Sequence, residues 1–372
     1  MSEQINFMVH VSCMTFNHVS FIENTMTGFT IQRTDFPFVC VIVDDASTDG
    51  EPEVIRNYMT RNFNLEDKSL VRNEETDDYT MTFAQHKTNK SCYFAVYYLK
   101  YNHYSIKKSK ELYYPEYYNN AKYLAICEGD DYWIHPQKLQ MQVDFLETHA
   151  DYSMCHGDAE FFVFEKNWNK GRVGRVQSKA KSFDSTDKYI MFNRILTGDY
   201  PGIVTCTALV RMDFYNNVIP NDRSFMMGDK PLWLDMSQMG RIKYFDNVFG
   251  VYVKHQGSAT RTPKTRKYFT LNAHEMKIYY CKKYNYPIPA KIFKLYKKGY
   301  LDLYFCGENP PIMKMPQLEI LKNYIIRMNN SKGYKILGKL LFRLQSKWDI
   351  VEEKFKLLYL YLSNMIWRIT HR

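Results

Sequence analysis

Cys127-Glu128-Gly129-Asp130-Asp131-Tyr132-Trp133 follows directly on the apolar run Tyr123-Leu124-Ala125-Ile126, and the pair decides how the chain is read. The apolar run has the pattern of a buried strand. Three carboxylates packed into four residues at its carboxyl end repel one another unless they share a cation, take up protons or stay wet. Oxygen-rich clusters of this kind suit Mg²⁺ or Mn²⁺, ions that also hold substrate phosphates. One reading is therefore a metal–diphosphate site at a strand end, where open α/β sheets bind their ligands. The other is an acidic turn that caps a helix beginning near Pro136.

Outward from this stretch, residues 5–14 and 38–43 are short continuous apolar runs, as expected of strands buried on both faces. Helices are expected over 19–32, Glu51 to Phe63, and Pro136 to His149, the last with proline near its first turn. A weaker strand fits 69–72, helical periodicity covers 90–102, and a strand covers 122–127. Residues 78–122 read as an irregular excursion over the sheet edge. Further strands are expected at 152–156, 159–164, 203–210, 241–246 and 248–254, with short helices around 186–196 and 229–239. Strands alternating with helices predict an α/β fold with a mostly parallel central sheet flanked by helices. After about residue 258 the chain turns to helices with basic faces, which divides it into 1–258 and a C-terminal helical region, 259–372.

The 372 residues are ample to bury a core. Net charge is +10, and Lys291 to Arg372 alone carries 16 Lys and Arg against 6 Asp and Glu, so the body is neutral and the tail basic. That distribution disfavours a nucleic-acid binder, because the tail lacks interleaved stacking aromatics, and fits contact with an anionic lipid surface. Within the tail, Leu337, Leu341, Leu344, Trp348, Val351, Phe355, Leu358, Leu362, Met365 and Ile369 make a continuous apolar seam. It can pack on the body, lie on a membrane or pair with another chain. The eight cysteines show no C-x-x-C spacing and read as buried thiols in a reducing compartment. No secretory signal and no spanning run of about 20 apolar residues is visible, so the expectation is a cytoplasmic protein, peripheral at the inner face of the membrane.

Two more strand ends carry chemistry. The first strand ends in Cys13-Met14-Thr15-Phe16-Asn17-His18, the second in Val43-Asp44-Asp45-Ala46-Ser47-Thr48-Asp49-Gly50. A threonine, an aromatic and an asparagine at a turn can cradle a base, or simply cap a helix. Asp44 and Asp45, followed by Ser47, can accept from a base or ribose, while Asp49 or Ser47 caps the helix from Glu51.

Taken together, these segments resemble the inverting family 2 glycosyltransferases of GT-A fold, the kind that builds bacterial surface polysaccharide. Gly228-Asp229-Lys230-Pro231-Leu232-Trp233 is similar to that family's catalytic-base segment, and Val251-Tyr252-Val253-Lys254-His255-Gln256-Gly257-Ser258 to its closing motif. The resemblance spans about residues 5 to 260. It implies that Thr15, Phe16, Asn17, Asp44, Asp45, Ser47, Glu128, Gly129 and Asp131 line a nucleotide-sugar donor, a UDP-sugar foremost. Asp130 and His255 would bind Mn²⁺ or Mg²⁺, and Asp229 would be the general base. Glu128 stands where the family more often has aspartate.

The residue types suit that chemistry on their own terms. A cation neutralises a departing diphosphate, one carboxylate takes the acceptor's proton, and a single base without a second nucleophile predicts inversion. Asp229 would open a helix, whose positive end favours a carboxylate, and it can equally be an N-cap. Thr205-Cys206-Thr207 is a candidate for the acceptor side. The expected activity is hexosyl transfer to a hydroxyl of a glycan or lipid-linked acceptor. Two alternatives remain: a non-catalytic sugar-binding scaffold of the same fold, or a nucleotidyltransferase, although no glycine-rich phosphate loop is present near the N-terminus. A Rossmann dehydrogenase is disfavoured because no G-x-G-x-x-G follows the first strand.

Overall fold

A computed structural model describes residues 5–165, 168–175, 184–200, 202–218, 225–255, 263–305 and 307–329. The seam at 337–369 and the closing Gln256-Gly257-Ser258 lie outside the described residues. The chain divides into two compact units, Met1–Ile219 with Asp235–Lys254, and Pro220–Leu234 with His255–Arg372.

The elements of the sheet unit are β1 (Val9–Thr15), α1 (Ile22–Thr30), β2 (Phe38–Asp44), α2 (Glu51–Asn62), β3 (Arg72–Glu75), β4 (Tyr79–Gln85) and β5 (Cys92–Leu99). Then come α3 (Pro115–Asn119), β6 (Tyr123–Ile126), β7 (Tyr132–Trp133), α4 (Lys138–Thr148), β8 (Tyr152–Glu165), β9 (Trp168–Arg175) and α5 (Lys188–Thr197). A three-residue 3₁₀ turn at Thr205–Thr207 leads to β10 (Leu209–Arg211) and α6 (Met212–Asn216). Next are α7 (Asp229–Met239), which runs across the cut between units, and β11 (Arg241–His255), whose last residue lies just past it. The helical unit contains α8 (Pro263–Lys283), α9 (Ala290–Phe305) and α10 (Glu319–Asn329).

Four strands form the parallel centre in the order β5-β2-β1-β6. The chain lays β2 and β5 on one side of β1 and then crosses to place β6 on the other, so the winding reverses between β1 and β6. Ligands of open α/β sheets bind at such a reversal, outside the carboxyl ends. Antiparallel strands extend both sides, β4 and β3 beyond β5, and β10, β8, β11 and β7 beyond β6. The α/β fold with a parallel centre is as expected, and the antiparallel margins widen it.

Strand β2 shows why these runs are strands. All seven residues are buried: Phe38, Cys40 and Ile42 face one core, Val39, Val41 and Val43 the other. Helices α1, α2 and α4 cover the first face through Ile22, Met26, Phe29, Ile55, Met59, Leu139, Val143 and Leu146. Tyr114 and Tyr117 close the second. Gly28 lets α1 approach the sheet, since a Cβ there would sit 2.7 Å from the Trp133 backbone.

Three expectations are corrected. The segment 90–102 is not helical: β5 pairs in parallel with β2 from Phe38↔Cys92 to Asp44↔Tyr98. Its aromatic and β-branched residues fill both cores in alternation, Phe94 and Val96 on one side, Tyr93 and Tyr97 on the other. Residues 78–99 are not irregular, because β4 and β5 form a hairpin, and only the stretch after Leu99 leaves the sheet. The strands expected at 241–246 and 248–254 are one strand, as are those at 152–156 and 159–164. The seven described cysteines are all buried and free, as expected of thiols.

A lysine is also buried inside the unit. Lys138 is buried, with Nζ 4.2 Å from the centre of the Trp133 ring and 2.8 Å from Gln142 Oε1. Burial lowers its pKa from 10.5 to about 8. The fold therefore favours the neutral amine, and the cost of burying the ammonium fades as pH rises from 8 toward 10.5. Lys138→Met is expected to raise stability relative to wild type by an amount that is largest below pH 8 and narrows by up to about 3 kcal/mol near pH 10.5. Urea unfolding across that pH range measures it, and a pH-independent difference would contradict the buried charge.

Candidate active site at the carboxyl edge

The loops leaving β1, β2, β5 and β6 meet at one edge of the sheet, and hydrogen bonds tie them into one unit. Asn17, held at φ 57°, accepts the Thr48 N–H on Oδ1 at 2.9 Å and donates its own N–H to Ser47 Oγ at 2.8 Å. Asp49 Oδ2 accepts from Val19 N–H at 2.9 Å. Asn tolerates the left-handed backbone that this turn needs. The first two motifs therefore hold each other whether or not a ligand is bound.

Glu51 is the residue beneath this junction that the sequence did not single out. It is fully buried at the start of α2 and accepts from the Thr15 hydroxyl, from His18 N–H at 2.9 Å and from Ser47 Oγ at 2.8 Å. Burial raises its pKa, and the three donors oppose that. The sequence reading named it only as the first residue of an expected helix.

The third motif packs onto the first. Gly129 N–H donates to Met14 O at 3.0 Å, and Gly129 O accepts from Thr25 Oγ1 at 3.0 Å. A Cβ at Gly129 would lie 2.1 Å from Thr15 Oγ1 and 3.3 Å from His18 Nδ1, so the absence of a side chain is what lets the two loops touch. Glu128 and Asp130, on either side of Gly129, are half-buried. Asp131 is buried. Its Oδ1 accepts the Val253 N–H at 2.8 Å, and its backbone O accepts from Thr25 Oγ1 at 2.7 Å. Burial, and then the charges of Asp130 and Glu128, hold its carboxyl well above the usual range. Asp131 thus fastens the acidic loop to β11, two residues before His255.

The acidic field also reaches Cys13 in β1, whose thiol is pushed well up by burial and then by Glu51, Glu128, Asp130 and Asp131. Asp44 is buried at the end of β2, accepts from Ser47 N–H at 3.3 Å, and is raised to about 6, chiefly by burial. Phe16 is 43% exposed, an aromatic face open at the same edge.

Asp45 is engaged by the chain itself. Its Oδ1 accepts from His103 N–H at 2.7 Å, and its Oδ2 accepts from Tyr104 N–H at 3.1 Å and pairs with Lys110 Nζ at 2.7 Å. The loop after β5 is pinned further on, where Asp78 pairs with Lys108 at 2.7 Å and accepts from Tyr113 at 2.8 Å. A nucleotide that reached Asp45 would meet this loop with it.

His18, Asp130 and His255 each place one ligand atom within 4.8 Å of the others. Two imidazoles and a carboxylate form a donor set suited to a divalent ion. Asp130 and His255 were expected there, and His18 was not given a role. Asp229 opens α7 and accepts the Lys230 N–H on Oδ1 at 2.7 Å. In the proposed acceptor segment, Thr207 and Cys206 are buried, with Cys206 O taking the Trp133 indole N–H at 2.6 Å, so these two are packed structure rather than open lining. A cleft of about 930 Å³ lined by Thr34, Asp35, Asn89 and Gln140 opens at the amino ends of β2 and β5 instead, and holds none of the residues expected at the donor.

No family model matches the sequence. Uncharacterised proteins of Mycobacterium bovis and Mycobacterium tuberculosis are 30% identical over 142 residues, which is 38% of this chain and 32% of theirs. The chain thus spans about a third of the length of the curated relatives it matches. Among solved structures, Staphylococcus aureus TarS 1-349 in complex with UDP is 16% identical at a TM-score of 0.41, covering 80% of this chain and 72% of that one. The same protein in complex with UDP-GlcNAc gives 14% and 0.43, covering 79% and 80%. A mannosyltransferase of Pyrobaculum calidifontis in complex with GDP-Man and Mn²⁺ gives 13% and 0.43, covering 92% and 87%. These are loose likenesses.

The closeness of the first and third motifs is directly testable. Gly129→Ala is expected to destabilise the protein by about 1–3 kcal/mol through overpacking against Thr15, seen as a lowered midpoint in thermal or urea unfolding. An unchanged midpoint would show that the loops do not touch as described.

Proposed function

We propose that the chain is a metal-dependent, inverting glycosyltransferase of GT-A type that moves a sugar from a nucleotide diphosphate to a hydroxyl. The observation that carries this reading is the placement of Asp130 within ligand reach of His18 and His255 at the carboxyl edge of the parallel strands. No helix among the described residues is long and apolar enough to cross a membrane. The basic stretch from Lys291 onward supports contact with an anionic surface. A glycan or lipid-linked acceptor in surface-polysaccharide synthesis, at the cytoplasmic face of a membrane, fits that arrangement.

In this reading Phe16, Asn17, Asp44 and Ser47 form the nucleoside end, with Asp45 acting together with the His103–Lys110 loop. Thr15 and Gly129 set the floor, and Glu128 lies toward the ribose. Asp130 and His255 would hold the divalent ion, Mn²⁺ or Mg²⁺, which when bound neutralises charge gathering on the leaving diphosphate. Asp131 keeps that loop joined to β11. Asp229 accepts the proton from the acceptor hydroxyl as the bond to the anomeric carbon forms and the bond to the diphosphate oxygen breaks. One displacement inverts the centre.

Asp130→Asn is expected to abolish Mn²⁺-dependent binding of UDP or GDP in calorimetry while leaving the fold intact, and unchanged affinity would remove Asp130 from the site. Asp229→Asn is expected to keep donor affinity and lower turnover by about 10² or more, the span typical of acid–base groups. Radiolabelled sugar transfer reads it, and near-normal turnover would dismiss Asp229 as the base.

A further inference from the structure

The cluster at the carboxyl edge has more nitrogen than an acidic metal motif supplies by itself, because His18, Asp130 and His255 bring two imidazoles to one carboxylate. We propose that His18 is a third protein ligand of the divalent ion, and that it makes the site prefer manganese-like transition metals to magnesium. The inference rests on the glycosyltransferase reading for the ion's purpose, and on the residues themselves for its composition.

The hydrogen bonds around His18 set which ring nitrogen faces a metal. Thr15 has one hydroxyl hydrogen, and it goes to the Glu51 carboxylate. Thr15 Oγ1 lies 3.2 Å from His18 Nδ1, so that contact requires the hydrogen to sit on Nδ1. The lone pair then belongs to Nε2, the usual state of a metal-binding imidazole whose other N–H is held from behind by a carboxylate-linked acceptor. Glu51 also accepts the His18 backbone N–H at 2.9 Å, fixing the ring's root as well as its tilt. Phe21 packs against the ring at 6.5 Å between centroids, in an edge-on arrangement.

The other two donors are fixed by independent means. Asp130 follows Gly129, which is drawn against Thr15 and His18 by its missing side chain. His255 ends β11, and Asp131 grips the backbone of that strand at Val253. Three separate elements therefore converge. Mg²⁺ is a hard cation that favours oxygen and retains its waters, whereas first-row transition ions take imidazole more readily, with affinity rising from Mn²⁺ through its heavier neighbours. An Asp–His–His set shifts selectivity accordingly. Glu51 and Thr15 become positioning residues for the metal rather than ligands.

The test uses the full chain titrated with MnCl₂ and, separately, MgCl₂, without nucleotide. Wild type is expected to bind Mn²⁺ at least about tenfold more tightly than Mg²⁺. His18→Gln is expected to weaken Mn²⁺ at least about tenfold, and Glu51→Gln by about 10- to 100-fold, with Mg²⁺ affinity of His18→Gln within roughly twofold of wild type. Pulsed electron paramagnetic resonance of the Mn²⁺-loaded protein is expected to show nitrogen coupling from two imidazoles, falling to one in His18→Gln. Unchanged Mn²⁺ affinity and coupling in a folded His18→Gln protein overturns the proposal. If that variant fails to fold, the wild-type spectrum decides: two imidazoles support it and fewer overturn it. His18-dependent Mn²⁺ binding in a protein that transfers no sugar supports the ligand assignment and defeats the enzymatic reading.

Discussion

Everything at the functional edge follows from one electrostatic constraint: six carboxylates, on Asp44, Asp45, Glu51, Glu128, Asp130 and Asp131, gather where parallel strands end. Carboxylates in a partly dry setting are costly unless each finds donors or a cation. The fold answers case by case. Asp45 receives Lys110 and two backbone N–H groups. Glu51 receives a threonine, a serine and a backbone N–H. Asp131 receives the backbone of β11. Asp130 is instead set beside two histidines. Asp130 is thereby the carboxylate that the proposed cation would share with the two imidazoles.

The same bonds hold the three motifs together at one edge despite their distance in sequence. Asn17 and Ser47 join the first two loops, Glu51 lies under both, and Gly129 brings the third against Thr15. The reversal of winding between β1 and β6 opens the sheet at this point, and the loops fill its rim. The 102–110 loop adds a fourth wall through Asp45. In the proposed site the nucleoside end would thus be preorganised by hydrogen bonds within the protein, which lowers the ordering cost of binding.

Much of this was legible in the sequence, and what was missed has physical reasons. Strands β1, β2 and β6 were readable because continuous apolar runs bounded by polar turns permit little else. Helix α7 was readable from its acidic start and matched the expected 229–239. Strand β5 was read as a helix because Cys92-Tyr93-Phe94-Ala95-Val96-Tyr97-Tyr98-Leu99 is apolar on both faces, which removes the alternation that marks a strand. Glu51 and His18 were overlooked because their roles come from neighbours 36 and 3 residues away that meet only in the folded edge. The resemblance set Asp130 on the metal and Asp131 along the donor, and only the approach of β11 gives the Asp131 carboxylate its backbone partner at Val253.

The central claim is that a divalent ion held at Asp130 takes up the charge of a nucleoside diphosphate. Anomalous X-ray scattering at the manganese edge, from crystals of the protein with Mn²⁺ and UDP or GDP, tests it most directly. The account predicts a single strong peak bonded to Asp130 and to the diphosphate oxygens, at the carboxyl edge between β1 and β6. A nucleotide bound there with no peak, or a peak away from Asp130, would contradict it.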